Sequence, residues 1–332
     1  MKIDMFNHIL PKKILNSIGA VDKDLGKRVS NIPFLVDLDE RFRVMDRFDD
    51  YVQVPCLPSP PIEALFPPPT STEFAKSVND EMAGLVQKYP DRFLGFVATL
   101  PMNDPDGLLA EAERAIKDLG AVGVQVYTNV LGRPLDKPET MPLFDLMAEL
   151  DRPIWIHPVR GADFPDYKNE PKSHYEIWWA FGWPYETSAA MAHLVFAGIF
   201  DRHPHIKIIT HHMGGMIPYF EGRVGPGLDQ LGTRTSDEDY TPLLKKLKKR
   251  PLEYFKMFYA DTALFGAREA TICGLKFFGA EKVLFASDAP FDPEKGPAYI
   301  RWTIEIIDRL EITPEERKAI YEGNARRIMK LP

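Results

Sequence analysis

Apolar positions along this chain alternate between two rhythms. Short, nearly continuous apolar runs occur at Ile3–Phe6, Val52–Cys56, Leu94–Leu100, Val122–Tyr127, Ile154–His157, Ile206–Thr210, Phe258–Asp261 and Val283–Ser287. Runs this short predict buried strands. Between several of them the spacing lengthens to a helical period. In Asp106–Leu119, the side chains of Leu108, Leu109, Ala112, Ala115, Ile116 and Leu119 share one face, and Gly120 supplies a stop. Met141–Leu150 repeats the pattern. Alternating strands and helices predict an α/β fold of the (β/α)8 TIM-barrel type, because parallel strands covered on both sides read as apolar throughout. An open, doubly wound sheet is the rival. It usually carries a glycine-rich turn after its first strand, whereas Asn7–His8–Ile9–Leu10–Pro11 contains no glycine.

One barrel is expected to span residues 1–332, interrupted by three insertions. Residues 19–39 are polar. Residues 55–72 hold seven prolines and read as an extended loop over the C-terminal mouth of the barrel. Residues 160–183 are rich in aromatics, including Phe164, Trp178, Trp179 and Trp183, and suit a lid or an oligomer contact.

Composition narrows the function classes. Hydrophobic residues make up 45% and charged residues 27%, enough apolar material for a full core. A net charge of −7 opposes a nucleic-acid role, which needs a basic surface. The run Lys245, Lys246, Lys248, Lys249, Arg250 reads as a solvated helix end. Two cysteines, Cys56 and Cys273, form no disulfide framework, and no apolar run reaches membrane-spanning length. A cytoplasmic protein without nucleic-acid or membrane partners is expected.

The histidines carry the chemistry. His8, His157 and His212, with Asp288, follow the ends of predicted strands. In a barrel those ends converge on one mouth, and imidazoles with a carboxylate are the ligand set of zinc or a similar divalent ion. Each residue also has a plainer role. His8 suits a surface turn, His157 a hydrogen-bonded core histidine, and Asp288 the cap of a turn. His211 and His212 are adjacent, so one of the two is expected to face the mouth.

The segments MKIDMFNHILPKK, PIWIHP, THHMGGMIPYFEGR and FASDAPF resemble the signature segments of the amidohydrolase-related decarboxylases. That group includes 2-amino-3-carboxymuconate semialdehyde decarboxylase and hydroxybenzoate decarboxylases. The resemblance runs in order to Glu322–Ala325 and implies non-oxidative decarboxylation of a small unsaturated or aromatic acid. It also implies a metal held by His8, His157 and Asp288, with zinc expected first and manganese as an alternative. His212 matches the acid/base histidine, acting with Asp288. Arg223 matches a carboxylate-binding arginine that reaches a neighbouring subunit, and Trp179 an active-site aromatic. A homodimer or dimer-based assembly follows. The first position of the family's HxH motif is Phe6 here, and a phenyl ring cannot ligate a metal. A metal-free form therefore stays open, as do a metal-dependent hydrolase acting on a lactone, amide or ring carbonyl and a non-enzymatic binding barrel.

Overall fold

A computed structural model describes residues 1–19, 29 and 31–331. Eight parallel strands make the central sheet: β1 (Lys2–His8), β2 (Tyr51–Cys56), β3 (Val97–Thr99), β4 (Gly123–Tyr127), β5 (Ile154–His157), β6 (Ile208–Thr210), β7 (Tyr259–Asp261) and β8 (Val283–Leu284). β1 pairs with β2, and β3 to β8 pair in sequence order. Backbone hydrogen bonds complete the ring at two seams. Between β2 and β3, Gln53 N–H donates to Arg92 O and Leu94 N–H to Gln53 O, both at 3.0 Å. Between β8 and β1, Met5 N–H donates to Phe285 O (2.9 Å), Asp288 N–H to Phe6 O (2.9 Å) and His8 N–H to Ala289 O (2.8 Å). The expected barrel is formed, and closure leaves its eight described strands without an edge.

Helices cover the outside. α1 (Thr70–Lys88), α2 (Pro105–Lys117), α3 (Met141–Leu150), α4 (Trp183–Phe196), α5 (Arg268–Phe278) and α6 (Pro297–Arg309) turn apolar faces inward. α2 begins where Asp104 accepts from Gly107 N–H at 3.2 Å, with Pro105 in its first turn. Its Leu108, Ala112 and Ala115 are buried, as are Leu143, Phe144 and Met147 of α3. A fully buried Leu, Phe or Met side chain contributes about 1.5–3 kcal/mol. Inside the ring, Met5, Val54, Trp155, Ile209 and Leu284 fill the core. Ala325, Ile328 and Met329 of α7 (Asn324–Met329) pack with Ile3, Val52 and Val97, near the starts of their strands. The N-terminal end of the barrel is thereby plugged.

The insertions differ from their sequence reading. The proline-rich loop is interrupted by a helical turn at Ile62–Leu65, and it ends at Pro69 because Thr70 already opens α1. Part of the 19–39 insertion lies outside the described residues; beyond it, Pro33–Val36 and Leu38–Met45 are helical. In 160–183, Asp166 accepts hydrogen bonds from Ser173 Oγ and His174 N–H, and Ser173 Oγ accepts from Trp178 N–H at 3.0 Å. Those bonds place the tryptophans. A short antiparallel pair, Asn129–Val130 with Arg133–Pro134, was not foreseen.

A buried polar network backs β1 and β2. Arg41, with no exposed surface, donates to Gln53 Oε1 (2.7 Å), to the His8 carbonyl (2.8 Å) and to Asn7 Oδ1. Burial pushes the guanidinium pKa down to about 10, so it still carries its charge at pH 7. Arg41→Met would strand three acceptors. It should cost about 3–5 kcal/mol, read as a lower urea midpoint with an unchanged slope.

Candidate active site

The open, C-terminal end of the barrel gathers the polar side chains. His8 and His157 are the last residues of β1 and β5, and Asp261 is the last of β7. His212 and Asp288 lie just beyond β6 and β8, in turns that bend sharply. His212 and Met213 both have φ of 54°, Gly214 and Gly215 have φ of 76° and 63°, and Asp288 has φ of 62°. Left-handed backbone at non-glycine residues costs about 1–3 kcal/mol each and is held only where surrounding contacts over-determine it. At the His212 turn Asp261 supplies those contacts, and at Asp288 the backbone bond to Phe6 O does so. The Asp261 carboxylate accepts from His212 N–H (2.9 Å), Ala263 N–H (3.1 Å) and His211 Nδ1 (2.5 Å).

Asp288 is the hub. Its Oδ1 lies 3.1 Å from His8 Nε2 and its Oδ2 lies 3.4 Å from His212 Nε2. Burial alone would raise its pKa. Hydrogen bonds from His212 and His8 outweigh that and hold the carboxyl below its ordinary range. For His212, burial opposes the cation, but the bond to Asp288 and its charge win and raise the imidazole pKa. His157 behaves oppositely. Burial, with the neighbouring His8 and His211 rings, pulls it well below the ordinary value, so it is neutral at pH 7. Its Nδ1–H donates to Pro158 O at 2.6 Å, which leaves the Nε2 lone pair free. The His8 and His157 rings are 5.5 Å apart.

Phe6 occupies the middle of this group. Its ring stacks on His211 at 3.3 Å and meets His8 and His157 edge-on at 4.7 and 5.6 Å. Both adjacent histidines therefore enter the cluster, although one was expected to turn away. His211 is held by Asp261 and its buried Nε2 has no partner. Among the described residues no group of three His, Cys, Asp or Glu side chains already stands in metal-holding geometry.

Above the cluster sits a cavity of about 240 Å³. His8, His157 and Asp288 line its floor, while Trp178, Trp179, Trp183, Phe265, Phe291 and Tyr299 form its walls. Ser59 of the proline-rich loop and Glu176 add polar groups. Trp179 is thus placed at the site. Arg223 is not: it is exposed, beside Phe220, and does not line this cavity. A larger cavity of about 410 Å³, lined by Arg160, Phe164 and Glu186, shares none of the histidine cluster. Sequence reading passed over Phe265, Phe291, Tyr299, Glu176 and Asp261. Phe291 stood within FASDAPF and Asp261 ended the predicted run Phe258–Asp261, the signal that had singled out His157; the others carried no local signal.

The sequence model of one family, described as Amidohydrolase, matches residues 3–331. The chain belongs to the amidohydrolase family. Among its relatives, the gamma-resorcylate decarboxylase of Polaromonas sp. is 31% identical, over 99% of this chain and 98% of the relative. A 2,6-dihydroxybenzoate decarboxylase solved with 2,6-dihydroxybenzoate superposes with a TM-score of 0.81 at 27% identity, covering 99% of each chain. The 5-carboxyvanillate decarboxylase of Novosphingobium aromaticivorans, solved with manganese, gives 0.85 at 26% identity, covering 100% of this chain and 97% of the other. No helix among the described residues of this amidohydrolase is long and apolar enough to cross a membrane.

Two outcomes follow from the site's construction. A Cβ at Gly215 would meet Pro184 O at 2.5 Å on a backbone with φ of +63°. Gly215→Ala should lower stability by about 1–3 kcal/mol in a urea melt. Separately, Glu63, in the helical turn within the proline-rich loop, is buried with both carboxylate oxygens unpartnered. Burial raises its pKa from 4.5 to about 7. Between those values the folded chain keeps a proton that the unfolded chain releases, so this group destabilises the fold as pH rises from 4.5 to 7. Glu63→Gln should therefore gain on the wild type by about 2–3 kcal/mol between pH 4.5 and 8. Paired urea melts at the two pH values check this; an equal difference at both would contradict it.

Proposed function

We infer that this amidohydrolase is a non-oxidative decarboxylase of an aromatic or unsaturated carboxylic acid. The observation that carries the reading is Asp288 bridging His8 and His212 beneath an aromatic-walled cavity sized for one ring. The relatives named decarboxylases, matched along nearly their whole length, support it.

The reaction replaces a carbon–carboxylate bond with a carbon–hydrogen bond and releases CO2. The chain must hold a planar acid, deliver one proton to the carbon that loses CO2, and keep competing water out. Trp178, Trp179 and Trp183 suit the first and last tasks, stacking on a flat ring and displacing solvent. His212 suits the second. His212 does not itself line the cavity, but its Nε2 meets Asp288, which does, and that carboxylate raises the imidazole pKa and favours the proton that general-acid transfer needs.

We propose that His8, His157 and Asp288 hold a divalent ion. The donor chemistry fits: a neutral imidazole with a free Nε2, an ionised carboxylate, and a second imidazole nitrogen 3.1 Å from that carboxylate. Donors sharing one ion at about 2.1 Å each stand at about this separation. His157 is the donor that must draw nearer, and Phe6 contributes none. Such an ion supplies positive charge that orients and polarises the acid's oxygens. Manganese, found in a neighbouring decarboxylase structure, is tested beside the zinc expected from sequence. Arg223 lies outside its own cavity, so a carboxylate-binding role for it requires a second copy of the chain, and we propose a homodimer on that basis.

Incubation with 2,6-dihydroxybenzoate and Mn²⁺ or Zn²⁺ should release CO2, measured by coupled assay. Ring-opened or hydrolysed product from lactones, without CO2 from aromatic acids, would favour the hydrolase alternative. His212→Ala should lower kcat by at least about 100-fold with metal content retained, whereas Asp288→Ala should lose both by elemental analysis. Equal metal loss in the two variants would exchange their roles. Phe6→His should raise metal occupancy after dialysis, since it supplies the missing imidazole.

A further inference from the structure

The cavity's outer end carries a group that the reaction does not use. Glu176 lines the same cavity as Trp178 and Trp179 and is itself exposed to solvent. Its backbone is held in the left-handed region with φ of 57°, as is Tyr175 before it at 55°. Two consecutive residues in that conformation are costly, and the Asp166–Ser173 hydrogen bonds keep the segment in place. No ion pair engages the Glu176 carboxylate among the described residues, so its oxygens remain available to whatever fills the cavity. Among the described lining residues, the charged side chains apart from the histidines are Asp288 and Glu176, both anionic.

We infer that Glu176 determines specificity: it accepts a hydrogen bond from a hydroxyl or amino substituent at the outer end of the bound ring. For the same reason it turns away acids that carry a second carboxylate there. The reacting carboxylate goes to the floor, where His8, His157 and Asp288 lie, so the far edge of a single ring faces the rim. A donor on that edge meets an anionic acceptor. A second carboxylate meets like charge in a cavity walled by indole and phenyl rings, where screening is weaker than in bulk water. The inference rests on the decarboxylase reading for the ring's orientation.

Two probes isolate the effect, because 3-hydroxybenzoate and benzene-1,3-dicarboxylate differ only in the meta substituent. Quenching of the cavity tryptophans gives both dissociation constants without turnover, in the presence of Mn²⁺. The hydroxy acid should bind about tenfold tighter, and Glu176→Gln should narrow that ratio about threefold, the size expected for one partly exposed charge. Glu149→Gln, which removes the same charge from the exposed side of α3, should leave the ratio alone. Equal wild-type affinity for the two acids, or a ratio indifferent to Glu176→Gln, would overturn the inference. So would preference for the diacid, the pattern expected if Arg223 of the second copy proposed above bound a carboxylate at the rim rather than the reacting one. Selective binding without CO2 release from any aromatic acid would sink the decarboxylase reading and leave the charge selection standing. Binding of neither acid would overturn the inference, while CO2 release from 2,6-dihydroxybenzoate would still decide the decarboxylase reading.

Discussion

The seam between the last and first strands governs this molecule. Backbone hydrogen bonds from Met5, His8 and Asp288 join the two ends of the sequence, and in doing so close the barrel. The same bonds fix Asp288 one side chain from His8. Closing the sheet and assembling the reactive group are therefore a single structural event. A slip of one residue along this seam would turn His8 away from the mouth, because strand side chains alternate in direction. The Arg41 network behind β1, which grips the His8 carbonyl and Asn7, resists such a slip from the outside.

Electrostatics divides the histidines by what stands beside each. His212 faces the Asp288 carboxylate and is pushed toward the cation; His157 is pushed toward neutrality by burial and by the neighbouring imidazoles, against its bond to the Pro158 carbonyl. His211, anchored on Asp261 and covered by Phe6, is also drawn toward the neutral form, chiefly by burial. Three chemically identical side chains within one cluster thus take different protonation tendencies. A proton donor and a lone-pair donor can then coexist at one pH.

Phe6 is the residue that sets this chain apart from the pattern its segments otherwise follow. An apolar ring at the centre of a histidine cluster removes a ligand but fills the space, keeping neighbouring rings at edge-on distances. The surrounding walls are aromatic as well, so the barrel mouth is flat-sided. Backbone strain gathers around it at His212, Met213, Asp288, Glu176 and Phe265. Such strain persists where hydrogen bonds from residues like Asp261 and Asp166 hold the turns closed.

The sequence alone determined the element rhythm, the barrel and the polar residues at strand ends, because continuous apolar runs and period-3.6 burial leave a direct trace in residue order. α3 lies at the expected residues, and β5 ends on His157 as read. Segment resemblance extended this to the family. Tertiary structure alone decided that both His211 and His212 join the cluster, since only left-handed turns bring consecutive residues to one side of a strand end. It also decided that Phe265, Tyr299 and Glu176 share a wall with Trp179 while Arg223 stands apart. Those residues sit on loops whose course is set by long-range hydrogen bonds and packing, and neither leaves a periodic mark on the chain.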